Sequence, residues 1–565
     1  MQLQTCVFLV SVLAISANED WLQVNTPQGP VRGLKQPNEE VYAFYNIPYA
    51  TAPVGVDKFK APLPPPTWKK PFEAIDRSII CPQNKIVVEL LLEHVRMQEN
   101  CLVANVFVPD TIEKNLSVLV YVHGGAFLIG YGNMNKGTQL MKSNDIIMVT
   151  FNYRLSVHGF LCLGTEGAPG NAGIKDQVAL LRWVQENIAS FGGNPNDVTL
   201  AGSSAGSAAV DLIMLSNLAT GLFHRVIPES GGSLAAFAVQ RDPLETAKNH
   251  ARRLNFRKTD DTYALDLFYR TASMELLTSL TLFDQTDSTF VFAPCVERAT
   301  GAEAFLVESP LRILKKGNYV KVPILYGFSS MEGLLRIDMF DIWKEKMNDK
   351  FSDFLPADLA FKSEAEKEEV ALSVKKFYFG NEPVHKDTVF GYIDFFSDVL
   401  FTYPMLRAVK LHAEAGHKEV YLYEYTFSDN GSTTDSHSIK RSAEHGAQSI
   451  AWLDNMNGKS ESFSTPEYRN MRAIVRKIWH SFIVSGKPVP EDSVLPEWPP
   501  AGAGRAPYLS LDLNVQLHNM YVEESTRFWD EIYQKHYRDA SPPPVPSFEI
   551  PKPFSYNNSL DFFSY

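Results

Sequence analysis

Ser204 lies in the segment Gly202-Ser203-Ser204-Ala205-Gly206, directly after the apolar run DVTLAG and before the helical pattern SAAVDLIMLS. A serine on a tight strand-to-helix turn needs small residues two positions before and after it, because the backbone is strained and the helix packs closely. Such a turn raises the hydroxyl above the sheet, and the start of the helix favours developing negative charge. A surface turn is the alternative, but this placement predicts a nucleophile at Ser204.

A second glycine-containing segment, HGGAF, begins at His123 and follows the apolar run LSVLVYV. Small residues at this point let backbone N–H groups approach a substrate oxygen, and the N–H group of Ala205 would join them. These donors would stabilise the oxyanion of a tetrahedral intermediate. A plain glycine turn is the alternative, and the serine motif makes it the weaker interpretation.

A hydroxyl is a poor nucleophile near neutral pH, so it needs a base, and the base needs an acid that orients it. Glu332 follows the apolar run VPILYG, and His445 follows the run YLYEY. The chain order serine, glutamate, histidine is that of α/β-hydrolases. Spacing alone does not select these two residues among 65 acidic residues and 13 histidines, and His437 remains a competitor for the base.

Apolar, β-branched runs bounded by turn residues predict the strands that carry these groups. Near-continuous runs of this kind are typical of a sheet covered on both faces, and helical patterns between them predict a mostly parallel α/β sheet. The clearest helical pattern spans residues 173–191, and large helical insertions are expected at about 242–314 and 340–398. The predicted strands are Ser117–Val122, Ile146–Tyr153, Val198–Gly202, Arg225–Ile227, Val322–Tyr326 and Val420–Tyr425.

Composition limits the partners and the compartment of the protein. The formal net charge of -12 argues against nucleic acid, whose phosphates need a cationic surface. Residues 1–16 resemble a signal peptide with an apolar run too short to span a bilayer, and no later stretch is long enough for a transmembrane anchor. We therefore expect a secreted protein, with one domain at residues 17–539 and a proline-rich tail at 540–565. The glycosylation sequons begin at Asn115, Asn430 and Asn557.

Many long motifs in order resemble the type-B carboxylesterase and cholinesterase family over nearly all of residues 20–535. They include FYNIPYATAPVG, ENCLVANVFVP, YVHGGAF, PGNAGIKDQVALLRWVQENIASFGGNPNDVTLAGSSAG and PEWPP. The resemblance implies an α/β-hydrolase fold and a serine esterase. It selects Glu332 as the acid and His445 as the base, and it implies that the oxyanion hole is formed by the N–H groups of Gly125, Ala126 and Ala205. No metal or cofactor is expected; the partner is a small-molecule ester.

The resemblance also assigns structural roles. Cys81 and Cys101 match a disulfide of the family, whereas Cys162 and Cys295 match no known pair and are expected to be free, buried thiols. A buried cation–carboxylate pair is implied for Lys58 with Glu99 and for Arg154 with Asp176.

Departures from the family pattern bear on the substrate. Ser203 replaces the usual glutamate before the nucleophile, Gln448 replaces a common acid after the base, and residues 82–100 contain no tryptophan for stacking a choline cation. We expect an uncharged, largely apolar ester, and the chain most resembles insect carboxylesterases of the antennal and juvenile-hormone-esterase-like group. Ser203 weighs against hormone hydrolysis.

The alternatives are a catalytically inactive adhesion or binding protein on the same fold, and a lipase. The oligomeric state is not predicted.

Overall fold

The computed structural model describes residues 20–546 except 38, 87, 89–94, 281–282, 302, 429–442, 456–464, 491–492 and 521–523. The predicted signal peptide and most of the proline-rich tail therefore lie outside the described residues. The strands are β1 Trp21–Thr26, β2 Gly29–Lys35, β3 Val41–Pro48, β4 Phe72–Glu73, β5 Ile79–Ile80, β6 Arg96–Met97, β7 Val103–Pro109, β8 Leu116–Val122, β9 Asn135–Lys136, β10 Ile146–Phe151, β11 Gly193–Ser203, β12 Arg225–Glu229, β13 Ile324–Ser329, β14 Val420–Tyr425, β15 Asp454–Asn455, β16 Tyr508–Leu511 and β17 Gln516–His518.

Thirteen of these strands form one sheet in the order β1-β2-β3-β7-β10-β8-β11-β12-β13-β14-β16-β17, with β4 beside β2. The seven strands from β10 to β16 run parallel, and the pairs at both edges run antiparallel. Every residue of β8, β10 and β13 is buried, as expected for central strands covered by helices on both faces. The carboxyl ends of the parallel strands meet at one edge of the sheet, where a ligand site is expected.

Helices cover both faces of the sheet and fill the two insertions. The longest helix near the nucleophile motif spans residues 172–187. It buries one apolar stripe against the sheet, formed by Ile174, Val178, Leu181 and Val184. The helices are α1 Ser156–Phe160, α2 Ala172–Asn187, α3 Ala205–Leu215, α4 Pro243–Arg253, α5 Thr262–Thr271, α6 Met274–Leu277, α7 Pro310–Lys316, α8 Phe340–Asp349, α9 Glu364–Phe379, α10 Val389–Ser397, α11 Tyr403–Glu414, α12 Ala447–Trp452, α13 Pro466–Ser485 and α14 Glu524–His536.

The predicted α/β class is confirmed, and all six predicted strands are present as β8, β10, β11, β12, β13 and β14. Sequence analysis missed the antiparallel strands at both edges. The insertions carry α4 to α7 and α8 to α10, and they pack on the sheet rather than forming a second sheet of their own. No helix among the described residues is both long enough and apolar enough to cross a membrane.

Cys162 and Cys295 are bridged, so the expectation of two free thiols is wrong. Both residues are buried, and their Cα atoms lie 6.7 Å apart, within the reach of a disulfide. They are 133 residues apart in the chain, and the bridge joins the segment after α1 to the first insertion. No local pattern could have indicated this contact, since only the folded insertion brings the two residues together. The structure also has a disulfide between Cys81 and Cys101, as the resemblance implies.

The two implied charge pairs differ in the structure. Arg154 and Asp176 form a buried ion pair, with Nη2 to Oδ1 at 2.6 Å. Lys58 instead donates to the carbonyl oxygen of Ala272 at 2.5 Å, and Glu99 faces His158 at 3.8 Å. Lys58 still acts on Glu99 through its charge, but the pKa of Glu99 is lowered chiefly by its interaction with His158.

Candidate active site

Ser204 lies at a strained turn between β11, which ends at Ser203, and α3, which begins at Ala205. Its φ of 60° and ψ of -123° place it where non-glycine residues are rare. Its N–H group donates to the carbonyl oxygen of Glu229 at 2.8 Å, which ties the turn to the neighbouring strand β12. A side chain at Gly206 would come within 2.2 Å of the carbonyl oxygen of Val122, so only glycine lets α3 pack this closely. The hydroxyl is thereby held above the carboxyl edge of the sheet.

The segment 123–127 packs directly against the nucleophile turn. A side chain at Gly124 would lie 3.1 Å from the Cβ atom of Ser204. Ala126 has a φ of 58°, a left-handed backbone that turns successive N–H groups to one side. Within the described part of the chain, the N–H groups of Gly125, Ala126 and Ala205 donate to no protein acceptor. Backbone donors without a protein acceptor could bind a developing oxyanion here.

His123 stabilises this segment through a stacking contact and a hydrogen bond. Burial lowers the pKa of its imidazole to about 4, so the ring is neutral at physiological pH. It stacks on Tyr153 with ring centroids 4.4 Å apart, and its Nδ1 donates to the carbonyl oxygen of Gly124 at 2.8 Å. The histidine therefore supports the loop rather than acting as a base.

Glu332 and His445 are brought into direct contact although 113 residues separate them. Nδ1 of His445 lies 2.5 Å from Oε2 of Glu332, whose carboxylate is completely buried. The other carboxylate oxygen accepts from the hydroxyl of Ser230 at 2.5 Å and from the N–H group of Ser329 at 2.8 Å. With its oxygens occupied in this way, the carboxylate holds the imidazole in one orientation, with the proton on Nδ1 and Nε2 available as a base.

Gln448 extends this hydrogen-bond network from the first turn of α12. Its Nε2 donates to the hydroxyl of Ser230 at 2.5 Å, and its Oε1 accepts from the hydroxyl of Ser329 at 2.5 Å. A neutral amide can both donate and accept, so it bridges two serines that an acid would bridge only as an acceptor. Sequence analysis noted Gln448 but missed Ser230, which follows a short strand and has no motif of its own.

Phe401 was also missed, and it forms one wall beside the base. Its ring lies 4.3 Å from the imidazole of His445, and it packs on Phe237, which packs on Phe290. A π-helical turn, Asp398–Thr402, connects α10 to α11 and carries this phenylalanine. Such single turns are frequent at functional sites because the extra residue turns a side chain toward a different face. The wall is apolar and aromatic.

The remaining predicted residues have separate places. Asn115 is exposed in the turn before β8, a position accessible to glycosylation. The sequons at Asn430 and Asn557 and the competing histidine, His437, lie outside the described residues.

The comparisons with known proteins cover nearly the whole chain. The model of the carboxylesterase family matches residues 20–529. A carboxylic ester hydrolase from Bombus ignitus is 30% identical over 539 residues, covering 91% of this chain and 95% of the relative. Juvenile hormone esterase from Heliothis virescens is 30% identical over 495 residues, covering 83% and 86%.

A solved structure gives the same result for the fold. The crystal structure of juvenile hormone esterase from Manduca sexta, with OTFP covalently attached, has a TM-score of 0.80 to this chain at 29% sequence identity. The match covers 91% of this chain and all of the other. The fold is therefore the α/β-hydrolase fold, and the chain belongs to the carboxylesterase family of carboxylic ester hydrolases.

Proposed function

We propose that the protein hydrolyses uncharged, largely apolar esters through an acyl-enzyme formed on Ser204. Nε2 of His445 takes the proton of the Ser204 hydroxyl as its oxygen attacks the ester carbonyl, and the N–H groups of Gly125, Ala126 and Ala205 bind the resulting oxyanion. His445 then returns the proton to the departing alcohol. Water attacks the acyl-enzyme by the same route, with His445 again as the base, and releases the acid.

The 2.5 Å contact between His445 and Glu332, beside the strained turn at Ser204, carries this proposal. A fluorophosphonate probe tests it, since such probes form a covalent bond only with an activated serine. We expect labelling of the wild-type protein and of Ser203→Ala, in which only the neighbouring hydroxyl is lost. Ser204→Ala should lose the label and several orders of magnitude in turnover of a short-chain aryl ester. Near-normal turnover by a folded Ser204→Ala protein would refute the mechanism.

The apolar wall supports the proposed substrate class. Phe401 stacks on the base, Phe237 packs on Phe401 and Phe290 packs on Phe237, and all three rings are at least 97% buried. The solved juvenile hormone esterase carries a covalently attached compound, which is consistent with covalent chemistry on this fold. A chain-length series of p-nitrophenyl esters separates an esterase from a lipase. Maximal kcat/KM on soluble short esters supports the proposal, and activity that rises only above the solubility limit of long esters would favour a lipase.

We infer that the protein is secreted, with cleavage after residue 16. The N-terminal apolar run and the two disulfides support this, since disulfides persist in oxidising compartments. We further propose that residues 17–539 form one catalytic domain, followed by a tail. Expression in insect cells tests secretion. Mature protein in the medium with Ala17 at its N-terminus is expected, and retention in the cytosol would contradict secretion.

A further inference from the structure

Glu229 connects all three segments that carry the proposed catalytic groups. Its carbonyl oxygen accepts from the N–H group of Ser204, and its Cα pairs with Ser203 in the register of β11 and β12. The next residue, Ser230, donates to Glu332. The side chain of Glu229 itself contacts α12, the helix that begins two residues after His445.

The carboxyl group of Glu229 is completely buried and is surrounded by neutral donors. Its oxygens accept from Ser449 at 2.6 Å, Trp452 at 3.1 Å, Trp479 at 3.1 Å and Tyr423 at 3.2 Å. An ionised carboxylate accepts all of these bonds at once, whereas a protonated carboxyl loses part of its acceptor capacity to the O–H group. Ser449 and Trp452 both belong to α12, so the carboxyl group of Glu229 binds that helix at two points.

We propose that ionised Glu229 is a positioning residue of the esterase, which holds α12 and hence His445 in line with Ser204, and that its protonation releases this alignment. The inference rests on the proposed function of the triad. It assigns this positioning role to a residue on β12, in a site where Ser203 and Gln448 are both neutral.

The electrostatic surroundings of Glu229 suit this role. Burial raises the pKa of its carboxyl to about 7, partly offset by the hydrogen bonds from Ser449, Trp452, Tyr423 and Trp479. Tyr121 from β8 lies beside this cluster, and burial raises the pKa of this tyrosine far above neutrality. Tyr423 from β14 also stays protonated, because burial and the carboxyl of Glu229 raise its pKa. Glu229 is therefore the group in this cluster that changes charge near neutral pH.

The acid limb of kcat/KM tests the proposal. When Glu229 and His445 must both be deprotonated, the slope of log kcat/KM against pH approaches about 2 at acid pH. Glu229→Gln cannot titrate, so its slope should approach about 1, and its kcat should fall roughly ten- to a hundredfold through misalignment, with little change in KM. Glu297→Gln removes a similarly buried carboxylate that binds Lys175 and Asn171 instead, and it should keep the wild-type slope.

Ser449→Ala provides a second test that keeps the carboxyl and removes its closest donor. Losing that hydrogen bond raises the pKa of Glu229, so the steep limb should move to higher pH. An unchanged slope in Glu229→Gln, or an unmoved limb in Ser449→Ala, would overturn the role of Glu229. Turnover that survives Ser204→Ala would instead overturn the proposed mechanism, and with it this inference.

Discussion

Phe401 stacks on the imidazole of His445, with ring centroids 4.3 Å apart and an angle of 29° between the planes. The imidazole is thus restrained on two sides, by the carboxylate of Glu332 at Nδ1 and by the phenyl ring on one face. The hydrogen bond fixes the tautomer, whereas the stacked ring limits rotation about the Nδ1–carboxylate axis. Both restraints act on the ring that must reach the Ser204 hydroxyl.

Phe401→Ala should therefore lower kcat by roughly tenfold or more, since small displacements of a catalytic group are costly. Loss of a fully buried ring should also destabilise the protein by about 3–5 kcal/mol. Phe401→Leu keeps apolar volume without the flat ring, and its kcat should lie between that of the wild-type protein and that of Phe401→Ala. Steady-state kinetics with thermal unfolding of each variant measures both effects. Equal kcat in all three proteins would show that the stacked ring does not restrain the base.

Glu332→Gln should reduce kcat by roughly a thousand- to ten-thousandfold, the loss seen when the orienting carboxylate of a triad becomes an amide. The amide NH₂ group must face either Nδ1 of His445 or the donors Ser230 and Ser329, so at least one hydrogen bond is replaced by a donor–donor contact. Glu444→Gln, beside the base in sequence, is the matched control and should retain activity. A similar loss of kcat in both variants would contradict the role of Glu332 as the residue that orients His445.

The central sheet was predictable because a parallel strand buried on both faces must be apolar throughout, as β8 and β10 are. The edge strands were not, since β1 buries only Val24 and β17 buries no residue, so neither forms a continuous apolar run. Within the site, Ser204 has a local motif because the turn itself restricts its neighbours. Ser230 and Phe401 have no such motif, since their roles depend only on which residues the fold places opposite them.

The disulfide between Cys162 and Cys295 gives a prediction for stability. On the chain-entropy model, a bridge across 133 residues stabilises the fold by about 5 kcal/mol, and the 20-residue separation of Cys81 and Cys101 gives about 3 kcal/mol. Replacing each pair by alanine should therefore lower the denaturation midpoint more for the long loop. Peptide mapping of non-reduced protein should recover Cys162 linked to Cys295. Recovery of both as alkylated thiols in the native protein would contradict the bridge.

Choline esters should be poor substrates compared with apolar aliphatic esters of the same acyl chain. A quaternary ammonium is stabilised by an aromatic face, best by tryptophan, at about 0.5–2 kcal/mol. Residues 82–100 contain no tryptophan, and Ser203 places no carboxylate beside the nucleophile. The two esters can be compared by kcat/KM at equal pH and ionic strength. A preference of about tenfold or more for the choline ester, equivalent to about 1.4 kcal/mol, would point to another cation site.

Glu229 should also make the protein less stable as pH rises, opposite to the usual effect of a paired carboxylate. Its folded pKa of about 7 lies above its ordinary value of 4.5, so between these values the folded state keeps a proton that the unfolded chain has lost. The contribution of Glu229 to the free energy of unfolding is therefore fully present below about pH 4.5 and is lost as pH rises through about 7. The total loss is about 3 kcal/mol. Glu229→Gln carries no such cost.

The free energy of unfolding in urea, measured for both proteins from about pH 5 to 8, isolates this contribution, because the other titrating groups cancel in the difference. Glu229→Gln should gain stability relative to wild type steadily across this range and then level off. Such a gain, combined with reduced kcat, would mean that the buried charge is retained for alignment at the expense of stability. A difference that stays constant with pH would show that Glu229 titrates alike in the folded and unfolded chains, and the proposed charge change at neutral pH would then be wrong.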